Sequence, residues 1–507
     1  MESKQYIFSP REAYEAAQKW RIVKRSVDAR QRELKVHLTV LTDDQGQPIA
    51  KDAPIPLYEP PVFKDVHHAK REAVIIGLGP AGLFAALTLI EHGIKPVIYE
   101  RGKEVSERKK DIALLNRNEG LNPESNYCFG EGGAGTFSDG KLFSRSKKRG
   151  NMQRVMELFH YFGAPDTVLY EAHAHIGSDK LPTIIRRMRD CILEHGGEIR
   201  FETCVKSLKD VRGDAEKTPV ILAIGHSAHD TYRMLAAEGV TLETKGFAMG
   251  VRAEHPQALI NRLMYFKGQN IDISGNRYTE TIQFVGNASY SLVTQVDGRG
   301  VYSFCMCPGG HIVPAGSTPG SCVVNGMSAS HRNSPYANSG MVVQINPEDI
   351  PGTDPLRGLE YQEKLEELAF RQTAMVSDSP AAAPAQRLKD FVEGKPSKDL
   401  PSCSYLPGIV PSRLDKWLPA HIGRRLQQGF RDFDRKYPGF LTNEAVILGV
   451  ESRSSSAVRI PRDPETLQSV STPRLYPCGE GAGYAGGITS SALDGINAAL
   501  AIAQENN

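Results

Sequence analysis

Three glycines constrain this chain more than any other feature. Gly77-Leu78-Gly79-Pro80-Ala81-Gly82 follows the apolar run Ala73-Val74-Ile75-Ile76 and precedes a helical stretch from Pro80 to His92, closed by Gly93. A second strand, Pro96 to Glu100, ends in an acid eighteen positions past Gly82. Strand, glycine turn, helix and strand form a βαβ unit of about thirty residues. In such a unit Gly77 makes the tight turn, Gly79 lets a pyrophosphate approach the backbone, and Gly82 lets helix and strand pack closely. The helix N-terminus, with Pro80 and Ala81, faces the pyrophosphate charge. Glu100 is placed to accept from a ribose hydroxyl and would repel a 2′-phosphate, which favours FAD or NAD over NADP. Arg101 beside it is counted with the cofactor residues. Literal GxGxxG matches also occur at Gly130–Gly135 and Gly481–Gly486, but only the first has a strand before it, a helix after it and the distal acid.

Ala73 to Ile90 holds eighteen residues without a charge, near the length of a membrane span. Gly77, Gly79, Pro80 and Gly82 interrupt it, so a nucleotide-binding turn explains it better and no membrane partner is expected. The N-terminus leads into no apolar signal region. Eight cysteines in 507 residues do not resemble a disulfide framework, which makes a cytoplasmic location the expectation. The 61 Lys+Arg nearly balance 59 Asp+Glu, so no nucleic-acid partner is expected. A small-molecule substrate is expected instead; the sequence leaves the oligomeric state open.

Residues 1–68 read as a small α/β domain with a Pro-rich linker. Ser9-Pro10-Arg11-Glu12 is a capping box opening a helix to about Trp20, and Leu34, Val36, Leu38 and Val40 alternate as a strand. Residues 69–235 begin the nucleotide-binding domain, with an amphipathic helix through Leu181, Ile184, Ile185, Met188 and Ile192, and strands at Glu198–Thr203 and Pro219–Ile224. Residues 236–440 lose that rhythm and read as an inserted α+β substrate or cap domain, with a helix near Leu359–Thr373 and a strand facing Val342, Gln344 and Asn346 outward. The nucleotide pattern returns within 441–507. The predicted fold class is thus α/β: a discontinuous Rossmann-like domain, an inserted α+β domain and a small N-terminal α/β domain. The cluster Arg145, Lys147, Lys148 and Arg149 reads as a solvated loop.

Two distant elements favour FAD over NAD. Arg474-Leu475-Tyr476-Pro477-Cys478-Gly479-Glu480 is a short strand ending in Gly and an acid, leading through Gly486-Gly487-Ile488 into a helix with Ala492, Leu493, Ile496, Ala499 and Leu500 on one face. In flavoproteins of the glutathione-reductase type, such a pair meets the ribityl or phosphate region. The following helix points its positive end at the flavin locus that gains charge on reduction. Val220-Ile221-Leu222-Ala223-Ile224-Gly225-His226 resembles the strand-plus-Gly element that closes many FAD domains, and places Ala223, Gly225 and His226 near the cofactor.

Taken together, Gly132-Gly133-Ala134-Gly135-Thr136-Phe137-Ser138-Asp139-Gly140-Lys141-Leu142, Ala223 to Ala228, Phe304 to Gly310 and Tyr476 to Ile488 resemble the bacterial FAD-dependent dehydrogenase family often labelled NAD(FAD)-utilising. The resemblance runs from about Arg21 to the C-terminus. It implies non-covalently bound FAD and the inserted domain, but no substrate. Glu480 stands where the wider flavoprotein pattern has Asp. In this context the backbone of Gly133, Ala134 and Gly135, with Thr136 and Ser138, is expected to wrap the pyrophosphate and ribityl chain, and Lys141 to add charge near the phosphates or the flavin edge.

Cys305-Met306-Cys307 is the candidate for catalysis, as a dithiol relay or one thiol against the flavin, weighed against two small buried residues beside a turn. In a strand both would face one side, poor geometry for a disulfide. No metal is expected: His311 and Cys322 match no zinc spacing, and His173 with His175 lacks a third ligand. Arg453 and Arg459, in a run with Glu451 and Arg462, are candidates for an anionic substrate, against a reading as solvated salt bridges. Only one βαβ unit has full nucleotide context, so NAD(P)H is expected at most as a transient electron donor. The reading is an FAD-dependent oxidoreductase. Alternatives are a flavin-free NAD-dependent dehydrogenase, a flavin-binding module without turnover, and an FAD-dependent nucleic-acid-modifying enzyme.

Overall fold

The computed structural model describes residues 2–30, 33–143, 150–212 and 218–505; the basic cluster at 145–149 lies outside the described residues. Mixed α/β structure is organised around two large sheets. The first is parallel and five-stranded, in the order Leu475–Pro477, Val220–Leu222, Glu72–Ile76, Lys95–Tyr99, Glu198–Arg200. Its apolar runs follow from burial on both faces. Ala73, Ile75 and Ile98 pack into one core and Val74, Ile76 and Val97 into another. The first core holds the helices Pro80–Glu91, Leu181–Glu194 and Ile488–Gln504. The first and last of these touch so closely that a Cβ on Gly495 would stand 2.0 Å from the Ala81 carbonyl oxygen. Glu198–Thr203 was expected as one strand, but pairing stops at Arg200 because the chain turns at Glu202, whose φ is +52°.

The second sheet has seven strands: Val293–Val296, Arg299–Cys307, Tyr336–Ile345, Phe247–Pro256, Val446–Glu451, Ala383–Arg387 and Ile409–Pro411. All pairs are antiparallel except the last. Two expectations are corrected here. Val342 is fully buried, because its strand is central and covered on both faces; Gln344 is exposed and Asn346 half-buried. Val446–Glu451, assigned from sequence to the segment after 440, pairs inside this sheet with Phe247–Pro256 and Ala383–Arg387.

At the N-terminus the helix Pro10–Lys19, with its capping box formed, covers a three-stranded antiparallel sheet of Glu2–Phe8, Lys35–Thr42 and Ile22–Asp28. The outer two strands escape sequence detection because charged residues interrupt their alternation, as edge strands commonly require. Among the described residues no helix is long and apolar enough to cross a membrane.

Candidate functional site

One cavity of about 850 Å³ lies between the C-terminal ends of the parallel strands and the seven-stranded sheet. That volume is near the top of the roughly 300–1,000 Å³ range of small-molecule sites. Two helices begin at its wall. Gly79 caps Pro80–Glu91 and Gly487 caps Ile488–Gln504, and neither end has a side-chain cap. Both ends therefore present the positive pole of a helix to the same space.

The glycines show why this shape needs them. Gly77 has φ +99°, and a Cβ there would meet the Ala223 carbonyl oxygen at 2.4 Å. At Gly82 a Cβ would meet the Gly77 oxygen at 2.0 Å, so Gly82 packs the helix onto the turn and does not line the cavity. Gly79 differs: its Cβ would meet only the Gly133 Cα, at 3.8 Å. Around Gly225, Gly486 and Gly487 a Cβ would meet nothing within 4 Å. These are cradle positions, open to the cavity.

Glu100 is buried, and its carboxylate organises three segments. Oε2 accepts from the Leu78 N–H at 2.8 Å, and Oε1 from the N–H groups of Gly102 and Gly130 at 2.9 and 3.0 Å. A carboxylate has about four acceptor positions, so one on Oε2 is left at the wall. Arg101 is held bidentately by Asp230, donates to Glu124, and stacks over Phe129 at 4.1 Å.

Pro80, Ala81, Gly133, Ala134, Gly135, Ser138, Lys141, Ala223, His226, Gly479, Glu480 and Ile488 also line the cavity. Thr136 does not. It is fully buried, donating to the Glu131 carbonyl and accepting from Arg108, so it braces the loop and corrects the expectation of a ligand contact. Lys141 reaches away from the glycine turn to the Met306 carbonyl on the sheet wall. Nδ1 of His226 meets Oε2 of Glu480 at 2.9 Å.

Cys305 and Cys307 also reach the wall, but not as a strand pair. A bulge lies between Phe304 and Cys307, and Cys305 has φ +48°. Cys305 is exposed to the cavity while Cys307 is buried, its thiol donating to the Cys305 carbonyl at 3.3 Å. Desolvation among the surrounding cavity walls pushes the Cys305 thiol up to about 11, despite Lys141 nearby, so it is not poised as a thiolate. The expected same-side pair is thus replaced by two thiols in different surroundings.

In the charged run near 451–462, Glu451, Arg453 and Arg462 are braces with little or no exposure, and Arg459 alone is exposed. Arg453 donates bidentately to Glu366 at 2.9 and 2.7 Å. Glu451 pairs with Arg252 at 3.0 Å, both buried. Arg462 grips Asp494, whose carboxylate also accepts the Gly479 N–H at 2.8 Å. Arg459 lies over the ring of Tyr484. His173 packs on Phe143, and His175 meets the Ser330 carbonyl. Among the described residues no cluster of three metal-ligating side chains exists.

Sequence reading missed three of these supports. Arg108 is fully buried and donates to the carbonyls of Asn126, Tyr127, Gly130 and Glu131, shaping the 126–136 loop; burial lowers it to about 10. Arg252 was equally invisible. Asp494 carried a signal, as the one charge in the Ile488–Gln504 helix.

Residues 246–454 match a family model described as FAD-dependent protein, C-terminal domain-like. This span coincides with the seven-stranded sheet unit, including Val446–Glu451. Distant likenesses among solved structures include CtdE in complex with FAD (11% identical, covering 85% of this chain and 84% of that one, TM-score 0.29). Another is CmlS, a flavin-dependent halogenase (14% identical, 86% and 59% covered, TM-score 0.31). A protein of Clostridium beijerinckii is 38% identical over 497 residues, covering 94% of this chain and 91% of that one, and is itself described as uncharacterized. The chain belongs to the family of this clostridial protein.

Proposed function

We propose that the chain binds one FAD non-covalently and acts as an oxidoreductase, exchanging hydride or electrons with a small-molecule substrate held against the seven-stranded sheet. The observation that carries this reading is the meeting of two uncapped helix N-termini, from opposite ends of the chain, at one glycine-cradled cavity. The cradle suits the group. Gly79 and Gly486 leave room for a pyrophosphate, and the Pro80–Glu91 pole favours the phosphate charge. A Cβ on Gly133 would stand 3.0 Å from the Gly79 Cα, so Gly133 lets its loop close on the Gly79 turn. Glu100 has an acceptor position for a ribose hydroxyl, and the Ile488–Gln504 helix offers its positive end to the redox ring.

The FAD-binding domain in this reading is Rossmann-like and discontinuous. It takes residues 69–235 and the segment after the Val446–Glu451 strand, and the antiparallel domain is inserted between them. When bound, FAD supplies the hydride chemistry. The chain orients it, excludes water between the two sheets, and fixes the glycine loops through Glu100, Arg108 and Asp494.

The test is anaerobic mixing of the flavin-loaded protein with NADH, NADPH and candidate reduced substrates, followed by flavin absorbance. Bleaching by a nicotinamide would identify a transient donor. Bleaching by a substrate supports the oxidoreductase reading, and failure with every donor favours a flavin-holding module.

A further inference from the structure

A second cavity, of about 530 Å³, lies beneath the open face of the N-terminal sheet, facing Met264, Lys267 and Tyr437. Its wall carries Lys24, Arg30 and Lys267 against one acid, Asp28, which Arg30 already holds bidentately at 2.9 and 2.7 Å. His37 faces the same space. The cleft is therefore net cationic. Ser289, an exposed residue, belongs to the wall of both this cleft and the main cavity, so the two adjoin at that point.

The wall of the main cavity also carries Tyr290, next to Ser289 in sequence, with Cys305 and Lys141. Among the described residues, Lys141 is the one Lys or Arg on that wall not held bidentately by a carboxylate. Arg101 is held by Asp230 and Arg453 by Glu366, while Lys141 donates to the Met306 carbonyl and stands 4.0 Å from Asp139, a carboxylate that Arg332 already grips.

We propose that the cleft under the N-terminal sheet is the substrate's access route, and that the substrate is a small organic anion such as a carboxylate, drawn in by Lys24, Arg30 and Lys267 and received past Ser289 by Lys141. This names the substrate class for the reading above and rests on it. A cleft lined by one sign of charge concentrates its counter-ion and speeds its arrival. The small N-terminal domain thereby gains a role that packing alone does not explain.

Cys305 provides a reporter at the inner end of the route. Iodoacetate, a small carboxylate, and iodoacetamide, its neutral counterpart, both alkylate a thiolate: the S–C bond forms as C–I breaks and iodide leaves. Because both reagents see the same thiolate fraction, the ratio of their rates reads only how the anion reaches the sulfur. Rates at Cys305 and at Cys204, which lines the same cavity beside Arg101, are measured by peptide mass on the full chain.

Lys24→Glu/Lys267→Glu is expected to lower the iodoacetate-to-iodoacetamide ratio at Cys305 by about threefold or more at low salt, leaving the ratio at Cys204 unchanged. Lys141→Gln is expected to lower the Cys305 ratio as well. If charge reversal impairs folding, Lys24→Gln/Lys267→Gln gives the same pattern at smaller amplitude, and about 0.5 M salt abolishes it. An unchanged ratio at Cys305, or an equal fall at both cysteines, overturns the proposal. The ratio is readable without flavin, so a failed cofactor reading, seen as no FAD uptake, stays separate from a failed access route.

Discussion

Gly79→Ala separates ligand binding from folding more cleanly than any other substitution in the turn. Gly79 has φ −77° and ψ −171°, ordinary extended backbone, and its added Cβ would meet one atom at 3.8 Å. No strain or clash follows, and the gain of about 0.4–1 kcal/mol from reduced unfolded-state freedom is offset by the poorer fit of alanine than glycine at a helix N-cap, so stability should change by no more than about 1 kcal/mol. The methyl would instead occupy the space from which a pyrophosphate approaches the helix end. Forcing a methyl into a filled site costs about 1–3 kcal/mol, and 2 kcal/mol corresponds to roughly 30-fold in Kd. The assay pairs thermal unfolding of flavin-free protein with FAD titration followed by flavin emission. A stable variant with FAD affinity within about threefold of the parent, a difference of under 1 kcal/mol, would refute the placement of the pyrophosphate on Gly79. The neighbouring Gly77→Ala should instead destabilise the fold, since it combines φ +99° with a 2.4 Å contact to backbone.

Three further outcomes are expected. Arg252→Met strands the buried Glu451 carboxylate and should cost about 3–5 kcal/mol in urea unfolding, whereas Arg252→Met/Glu451→Met should recover most of it. His255 is fully buried, donates Nε2–H to the Phe440 carbonyl at 2.9 Å, and is lowered by burial to about 4. The unfolded chain, with an ordinary histidine near 6.5, binds the proton first, so this residue's contribution is present above pH 6.5 and is lost as pH falls toward 4. His255→Leu should flatten the stability profile in that window. Cys305→Ser and Cys307→Ser should leave the rate of flavin reduction unchanged, because desolvation raises the Cys305 thiol to about 11 and the Cys307 thiol is engaged with the Cys305 carbonyl; a large loss in either variant would restore a thiol relay.

Local rules carried the parallel sheet unit because each of its parts obeys one. Glycines mark tight approaches, apolar runs mark strands buried on both faces, and the Leu181–Glu194 helix shows its buried stripe at helical spacing. The same rules mislead where long-range packing decides. Val342 is two positions from the polar Gln344 yet is buried, because strands 40 and 92 positions away, at Tyr302 and Gly250, flank it and make its own strand central. Thr136 sits in a loop that reads as ligand-binding, but Arg108, reached only through tertiary structure, claims its hydroxyl. Cys305 and Cys307 are two apart, and a bulge that no sequence rule announces turns them to different surroundings. The ion pairs Arg252–Glu451 and Arg453–Glu366 join residues 199 and 87 positions apart, beyond any local pattern.

The central claim is that segments around Gly79, Gly133 and Gly486 close on a single FAD. Equilibrium titration of the flavin-free chain with FAD tests it directly. A saturating, perturbed two-band flavin spectrum at one FAD per chain is the predicted result, and no uptake by folded protein at saturating FAD would contradict it.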